Sequence, residues 1–149
     1  MIASGVEDIE TYANTNNRCV TWAVLEDKAT GELLTVFGTH YNPDGGETGE
    51  RDRATQAQKT LDCIERVTAE YGGAVVLMGD FNTTLGSDRF AYDILAKEYT
   101  DVLAGKGIDH IFYDPTQLSV AQSRVESGRF TENVSDHMPI IADVFYNKG

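Results

Sequence analysis

Two β-rich apolar runs, residues 33–40 and 74–78, flank a long segment in which Ala54, Ala57, Leu61, Ile64 and Val67 recur at helical spacing. That periodicity predicts a helix over residues 50–71 with one apolar stripe, and Gly72-Gly73 stops it. Residues 74–78 are continuously apolar, as expected for a strand buried on both faces. Strand, helix and strand in this order make a crossover unit and point to an α/β fold.

The rest of the chain fits around that unit. Residues 18–25 pair with 33–40 as a hairpin, because the intervening Asp27-Lys28-Ala29-Thr30-Gly31 has turn composition. A shorter helix is predicted over residues 87–97, with Ser87 as its N-cap and Phe90, Ile94 and Leu95 as its apolar side. Strands follow over 108–113, 118–125 and 140–145, the last opened by Pro139, which a strand tolerates at its start. Residues 1–17 are polar without a sustained period and read as a tail or loop, leaving 18–149 as one domain with room for a core.

Charge narrows the partners. Acidic residues outnumber basic ones 24 to 12, and a net charge of −12 repels duplex DNA unless cations or a basic partner intervene. Cys19 and Cys63 fall in a strand-like and a helix-like run, so two free thiols and a reducing compartment are expected. The apolar stretches fall far short of the ~20 residues that span a bilayer, and the N-terminus lacks the basic-then-apolar order of a signal peptide. A soluble, cytoplasmic protein is the expectation.

Four short motifs carry chemistry. Gly79-Asp80-Phe81-Asn82 follows the buried strand, and in extended chain Asp80 and Asn82 project from one side. The carboxylate can bind a cation or accept a proton from water, and the amide can donate to an anionic oxygen; the plainer reading is a strand-ending turn. Ser135-Asp136-His137 puts a carboxylate and an imidazole side by side at a strand entrance, where a polar loop closed by Pro139 is the plainer reading. Asp109 sits in an apolar run, where a carboxylate needs hydrogen-bond donors or a cation, and an imidazolium is a natural partner. His110 falls on the opposite face of that run and reads as a surface or core-edge histidine, while His40 ends a strand beside a Pro/Gly loop. Phosphate-binding glycine loops, the dinucleotide fingerprint, His-Glu-x-x-His and Cys-x-x-Cys are all missing.

Taken in order, Thr39-His40, Gly79-Asp80-Phe81-Asn82, Ile108-Asp109 and Ser135-Asp136-His137 resemble the endonuclease/exonuclease/phosphatase (DNase I-like) superfamily over residues 18–146. The resemblance implies the C-terminal half of an α-β-β-α sandwich: one mixed β-sheet with helices on one face. It also implies metal-activated water attacking phosphorus in line, with Mg²⁺ or Mn²⁺ as cofactor. On that basis His137 is the base, Asp109 orients it, and Asp136 is a metal ligand. Asp80 orients the water or assists at the metal, Asn82 donates to a phosphate oxygen, and His40 stabilises phosphoryl charge. The superfamily's N-terminal Asn and metal-binding Glu find no match, and neither Glu7 nor Glu10 is assigned to that role. A single sheet leaves an apolar face, so a partner is expected to cover it: a second copy in a homodimer, or a separate N-terminal half.

The leading functional expectation is metal-dependent hydrolysis of a phosphodiester or phosphomonoester. A catalytically silent oligomerisation or binding module is the alternative, and a cation-binding protein a third reading resting only on net charge. The acidic balance favours a small phosphoester, nucleotide or lipid head group over long DNA. Arg51 and Arg53 are candidates for a phosphate contact, against the commoner role of a solvated residue in a helix's first turn.

Overall fold

The computed structural model describes residues 1–11, 17–85, 90–127 and 134–147. Strand β1 (Ala3–Asp8) pairs antiparallel with β2 (Cys19–Glu26), and β2 with β3 (Leu33–His40). Helix α1 (Gly46–Tyr71) crosses over to β4 (Ala74–Asp80), which lies parallel to β3. After α2 (Phe90–Ala96), the two-residue β5 (Thr100–Asp101) and β6 (Asp109–Tyr113) complete a mixed sheet in the order β1-β2-β3-β4-β6-β5. Strands β7 (Leu118–Val125) and β8 (Ile140–Tyr146) form a separate antiparallel pair.

Both helices pack on one face of the large sheet, where Ala57, Ile64 and Val67 of α1 and Leu95 of α2 join Phe37 and Leu77 in the main core. Fully burying a side chain of this size contributes about 1.5–3 kcal/mol relative to leaving it in water. The crossover unit predicted from periodicity is therefore present, as is the hairpin. Its turn is tied by Asp27, whose carboxylate accepts the Ala29 N–H at 2.7 Å and whose carbonyl accepts the Gly31 N–H at 2.8 Å.

Two expectations are corrected. Residues 1–17 are not wholly a tail, because Ala3–Asp8 is an edge strand whose hydrogen bonds come from β2. Its Ser, Gly and acidic residues carry little strand propensity, and pairing supplies what propensity does not. Gly5 is needed there: a Cβ would sit 2.5 Å from the Trp22 ring directly opposite. Helix α1 begins at Gly46, ahead of residue 50, and Ser87, the predicted N-cap of the second helix, lies outside the described residues.

The sheet's other face was expected to present an apolar surface. Part of it is covered by this chain itself, since Leu118 of β7 and Tyr146 of β8 pack with Ala74, Val76 and Ile111 in a second small cluster. Away from that ribbon, Val6, Leu25 and Met78 share the same face by register and are 68%, 36% and 37% exposed. Among the described residues no helix is long and apolar enough to cross a membrane. Both cysteines are free thiols, Cys19 exposed and Cys63 buried.

Gly79 on β4 lies opposite Thr39 on β3. Its φ is +151°, and a Cβ would lie 1.9 Å from the Thr39 carbonyl oxygen. Gly79→Ala is expected to destabilise the fold by on the order of 3 kcal/mol, through backbone strain and separation of the two strands. Urea unfolding measures this, and an unchanged midpoint would contradict it.

Candidate active site

The sheet's register builds the site. His40 on β3 lies opposite Asp80 on β4, and Asp80 lies opposite Asp109 on β6. Residues directly opposite each other on neighbouring strands project from the same face, so two carboxylates and an imidazole form one row across three strands. His137, from the segment before β8, closes over this row, and a cleft of about 410 Å³ opens beside Asp80, Asp109, Ser135 and His137.

Nδ1 of His137 lies 2.7 Å from Oδ2 of Asp109, and its Nε2 lies 3.9 Å from Oδ2 of Asp80. A carboxylate only accepts, so Nδ1 carries the proton and Nε2 faces Asp80. The hydrogen bond to Asp109 and that residue's charge raise the His137 pKa above its ordinary value, with smaller contributions from Asp80 and Asp136. On Asp80, Oδ1 accepts the Asn82 N–H at 2.9 Å, while Oδ2 faces both His137 and, at 3.5 Å, Nε2 of His40. One oxygen thus anchors the carboxylate and the other is presented to the cleft.

Asp80, Asp109 and His137 each bring one potential ligand atom within 4.8 Å of the others. Because Asp109 and Nδ1 of His137 already satisfy each other, Asp80 is the carboxylate of this set left to hold a cation. Mg²⁺ keeps several waters and binds proteins through one or two carboxylates, so an oxygen-bearing site of this kind fits a hard cation. Asp136 is exposed and outside the tight set, although its charge reaches His137.

Asn82 is placed differently from the extended geometry predicted for it. Its φ is +50°, in a turn stabilised by Asp80, and its Nδ2 donates to the Tyr41 carbonyl at 3.2 Å. The turn reading of Gly79-Asp80-Phe81-Asn82 therefore holds, with the Asn82 N–H on the Asp80 carboxylate. His110 is corrected from a surface or core-edge residue to a fully buried one, 1% exposed. Its Nδ1 lies 3.1 Å from Asp101 Oδ2 and its Nε2 lies 2.9 Å from the Thr83 carbonyl. Burial opposes the charged ring, but the bonds to Asp101 and Thr83 and the Asp101 charge outweigh it and raise the pKa. Burial likewise opposes the Asp101 carboxylate, yet the donors His110, Gly105 and Leu103 hold its pKa below the usual value. No motif contains Asp101; a lone carboxylate on a two-residue strand offers no periodic signal.

The two candidate arginines are occupied elsewhere. Arg53 is buried and donates to the carbonyls of Asn42, at 2.9 Å, and Asp44, at 2.6 Å, fastening the loop after His40 to α1. Arg51 pairs with Glu47 one helical turn away.

With this geometry in hand, known proteins can be compared. The model of the Endonuclease/Exonuclease/phosphatase family matches residues 6–137. The chain belongs to this family. The match begins within β1, ahead of the residue 18 at which the motif resemblance started. Members of the superfamily are hydrolases acting on phosphoester bonds and generally use divalent metals. No match is found among curated protein sequences.

Among solved structures, the human Nocturnin catalytic domain with bound sulfate anion aligns with a TM-score of 0.82 at 19% identity, covering 98% of this chain and 59% of that one. An endonuclease/exonuclease/phosphatase from Bacteroides vulgatus aligns with 0.79 at 24%, covering 98% and 66%. The Bacteroides thetaiotaomicron mannosyl-6-phosphatase aligns with 0.79 at 17%, covering 97% and 66%. These similarities show the DNase I-like fold, and the chain spans 59–66% of the length of these structures.

The Asp109 contact predicts a measurable titration. Its carboxylate stabilises the charged ring, so in metal-free protein His137 stays protonated to a pH above its ordinary 6.5 and becomes a base only beyond that point. Asp109→Asn removes the charge and is expected to lower the midpoint in a ¹⁵N-detected NMR titration. An identical midpoint in the variant would show that Asp109 does not govern this ring.

Proposed function

We propose that this chain hydrolyses phosphoesters, with His137 as general base and the Asp80 row as the site of the reacting phosphoryl group. The observation that carries this reading is the pairing of His137 Nδ1 with Asp109, which leaves Nε2 facing Asp80 across the cleft. Held in that tautomer, Nε2 can take a proton from water, and Asp109 stabilises the imidazolium that forms. Asn82 uses one amide hydrogen on the Tyr41 carbonyl and offers the other to a phosphoryl oxygen. His40, half-exposed at the end of the row, stabilises charge on the same group.

Two carboxylates facing an anion repel it, so the site needs positive charge beyond its imidazoles. A divalent cation, Mg²⁺ or Mn²⁺, held by Asp80 with Asp136 supplying a further carboxylate, would neutralise phosphoryl charge. A small phosphoester, a nucleotide or a lipid head group suits the chain better than long DNA. Its net charge is −12, and three of its 12 basic side chains, Arg51, Arg66 and Arg124, are paired with Glu47, Glu7 and Glu126.

A second reading, a catalytically silent association module, draws support from the exposed Val6, Leu25 and Met78 on the sheet's open face. On either reading that face is proposed to pair with a second copy of the chain. The readings separate on Mg²⁺-dependent hydrolysis of bis-p-nitrophenyl phosphate and p-nitrophenyl phosphate. His137→Ala is expected to lower the rate by about 10²–10⁴-fold. If the unaltered chain shows no rate above that variant while light scattering reports a dimer, the silent module is the function.

A further inference from the structure

Strand β6 sends two consecutive side chains to opposite sides of the sheet, Asp109 to the cleft and His110 into the helix-side core. The two neighbours of His110, the Asp101 carboxylate at 3.1 Å and the Thr83 carbonyl at 2.9 Å, both accept hydrogen bonds. Both ring nitrogens therefore donate, and the ring bridges β5 to the segment that follows Asn82. Asp101 is itself fixed by the N–H groups of Leu103, at 3.1 Å, and Gly105, at 2.6 Å, and by the Tyr92 hydroxyl at 3.3 Å.

What this bridge holds is the turn at Asn82. Asn82 has φ +50°, a left-handed conformation that Asn tolerates better than most residues but that still needs its neighbours in place. Before Asn82, the Phe81 N–H is held by the Ile108 carbonyl at 2.9 Å, and the Phe81 ring packs edge-on against Tyr41. After it, Thr83 is buried with its carbonyl on His110. The same ring also stands 5.8 Å from Phe81, so His110 touches the turn from both sides of Asn82.

We propose that His110, braced by Asp101, is a positioning residue of the phosphoester site: it fixes the Thr83 carbonyl and thereby holds Asn82 in the turn beside Asp80. The proposal rests on the hydrolytic reading above for its kinetic consequence, and on the geometry alone for its structural one. His110 touches neither the reacting group nor the cation; it acts through Asn82.

Two near-isosteric variants divide the ring's functions. His110→Gln places an amide N–H where Nε2 stood and keeps the Thr83 contact; His110→Asn mimics Nδ1, keeping Asp101 and losing Thr83. In His110→Asn, kcat is expected to fall about tenfold or more with KM within about twofold, because a displaced group costs rate rather than ground-state affinity. His110→Gln is expected to recover most of that loss. By hydrogen exchange in the metal-free protein, the Asn82 amide opens about tenfold faster in His110→Asn and near the native rate in His110→Gln. Asp101→Asn keeps the shape and removes the charge, and is expected to fall between the two; it carries the test if His110→Asn does not fold.

Equal kcat losses in the Asn and Gln variants of an active enzyme, or equal Asn82 exchange in both, would overturn the proposal. Loss of all hydrolysis in the unaltered chain would instead overturn the hydrolytic reading, and the exchange rates would still decide the role of His110.

Discussion

The site depends on one alignment of three strands. Phe37, Leu77 and Phe112 lie opposite one another across β3, β4 and β6, all fully buried against the helices. Three residues along each strand, on the other face, stand His40, Asp80 and Asp109. The pleat makes these two rows a single object: slipping any strand by one residue would turn an aromatic or Leu side chain out of the core and break the polar row. Apolar burial on one side of the sheet therefore sets the polar geometry on the other.

Each polar residue at a strand end is followed by a side chain that anchors it. Tyr41 follows His40, Phe81 follows Asp80, and the two rings meet edge to face with centroids 5.0 Å apart in the core. The loop after His40 is fastened to α1 by Arg53 and by Gln56, whose side-chain oxygen accepts the Asn42 N–H at 2.8 Å. Buried groups thus hold the segments on which the exposed chemistry stands, as a preorganised site requires.

The electrostatics follow from the same placement. Asp109 and Asp101 each hold an imidazole, one on each face of the sheet: His137 at the cleft and His110 in the core. The two pairs differ in what surrounds them. The ring of His110 is enclosed by Phe81, Tyr92 and Phe112, whereas His137 stays open to solvent and to the cleft. The first arrangement braces; the second leaves a nitrogen available for proton transfer.

Much of this was legible in the chain before any coordinates. The apolar stripe of α1, the continuous run of β4, the turn chemistry at Asp27 and the four polar motifs are local patterns, and local patterns follow from the 3.6 and 2.0 periods of backbone geometry. The strand β1, the pairing of His110 with Asp101 and the folding of β7 and β8 over the second face were not legible. None of them has a local signature: Ala3–Asp8 is a strand because β2 lies beside it, and Asp101 meets His110 because β5 and β6 pair. The amino-acid sequence by itself determined which residues are apolar, which carry ionisable or amide groups, and the periods from which most elements form. Only the tertiary structure decided which strand neighbours which and in what register, because that choice is settled by burial summed over residues far apart in the chain.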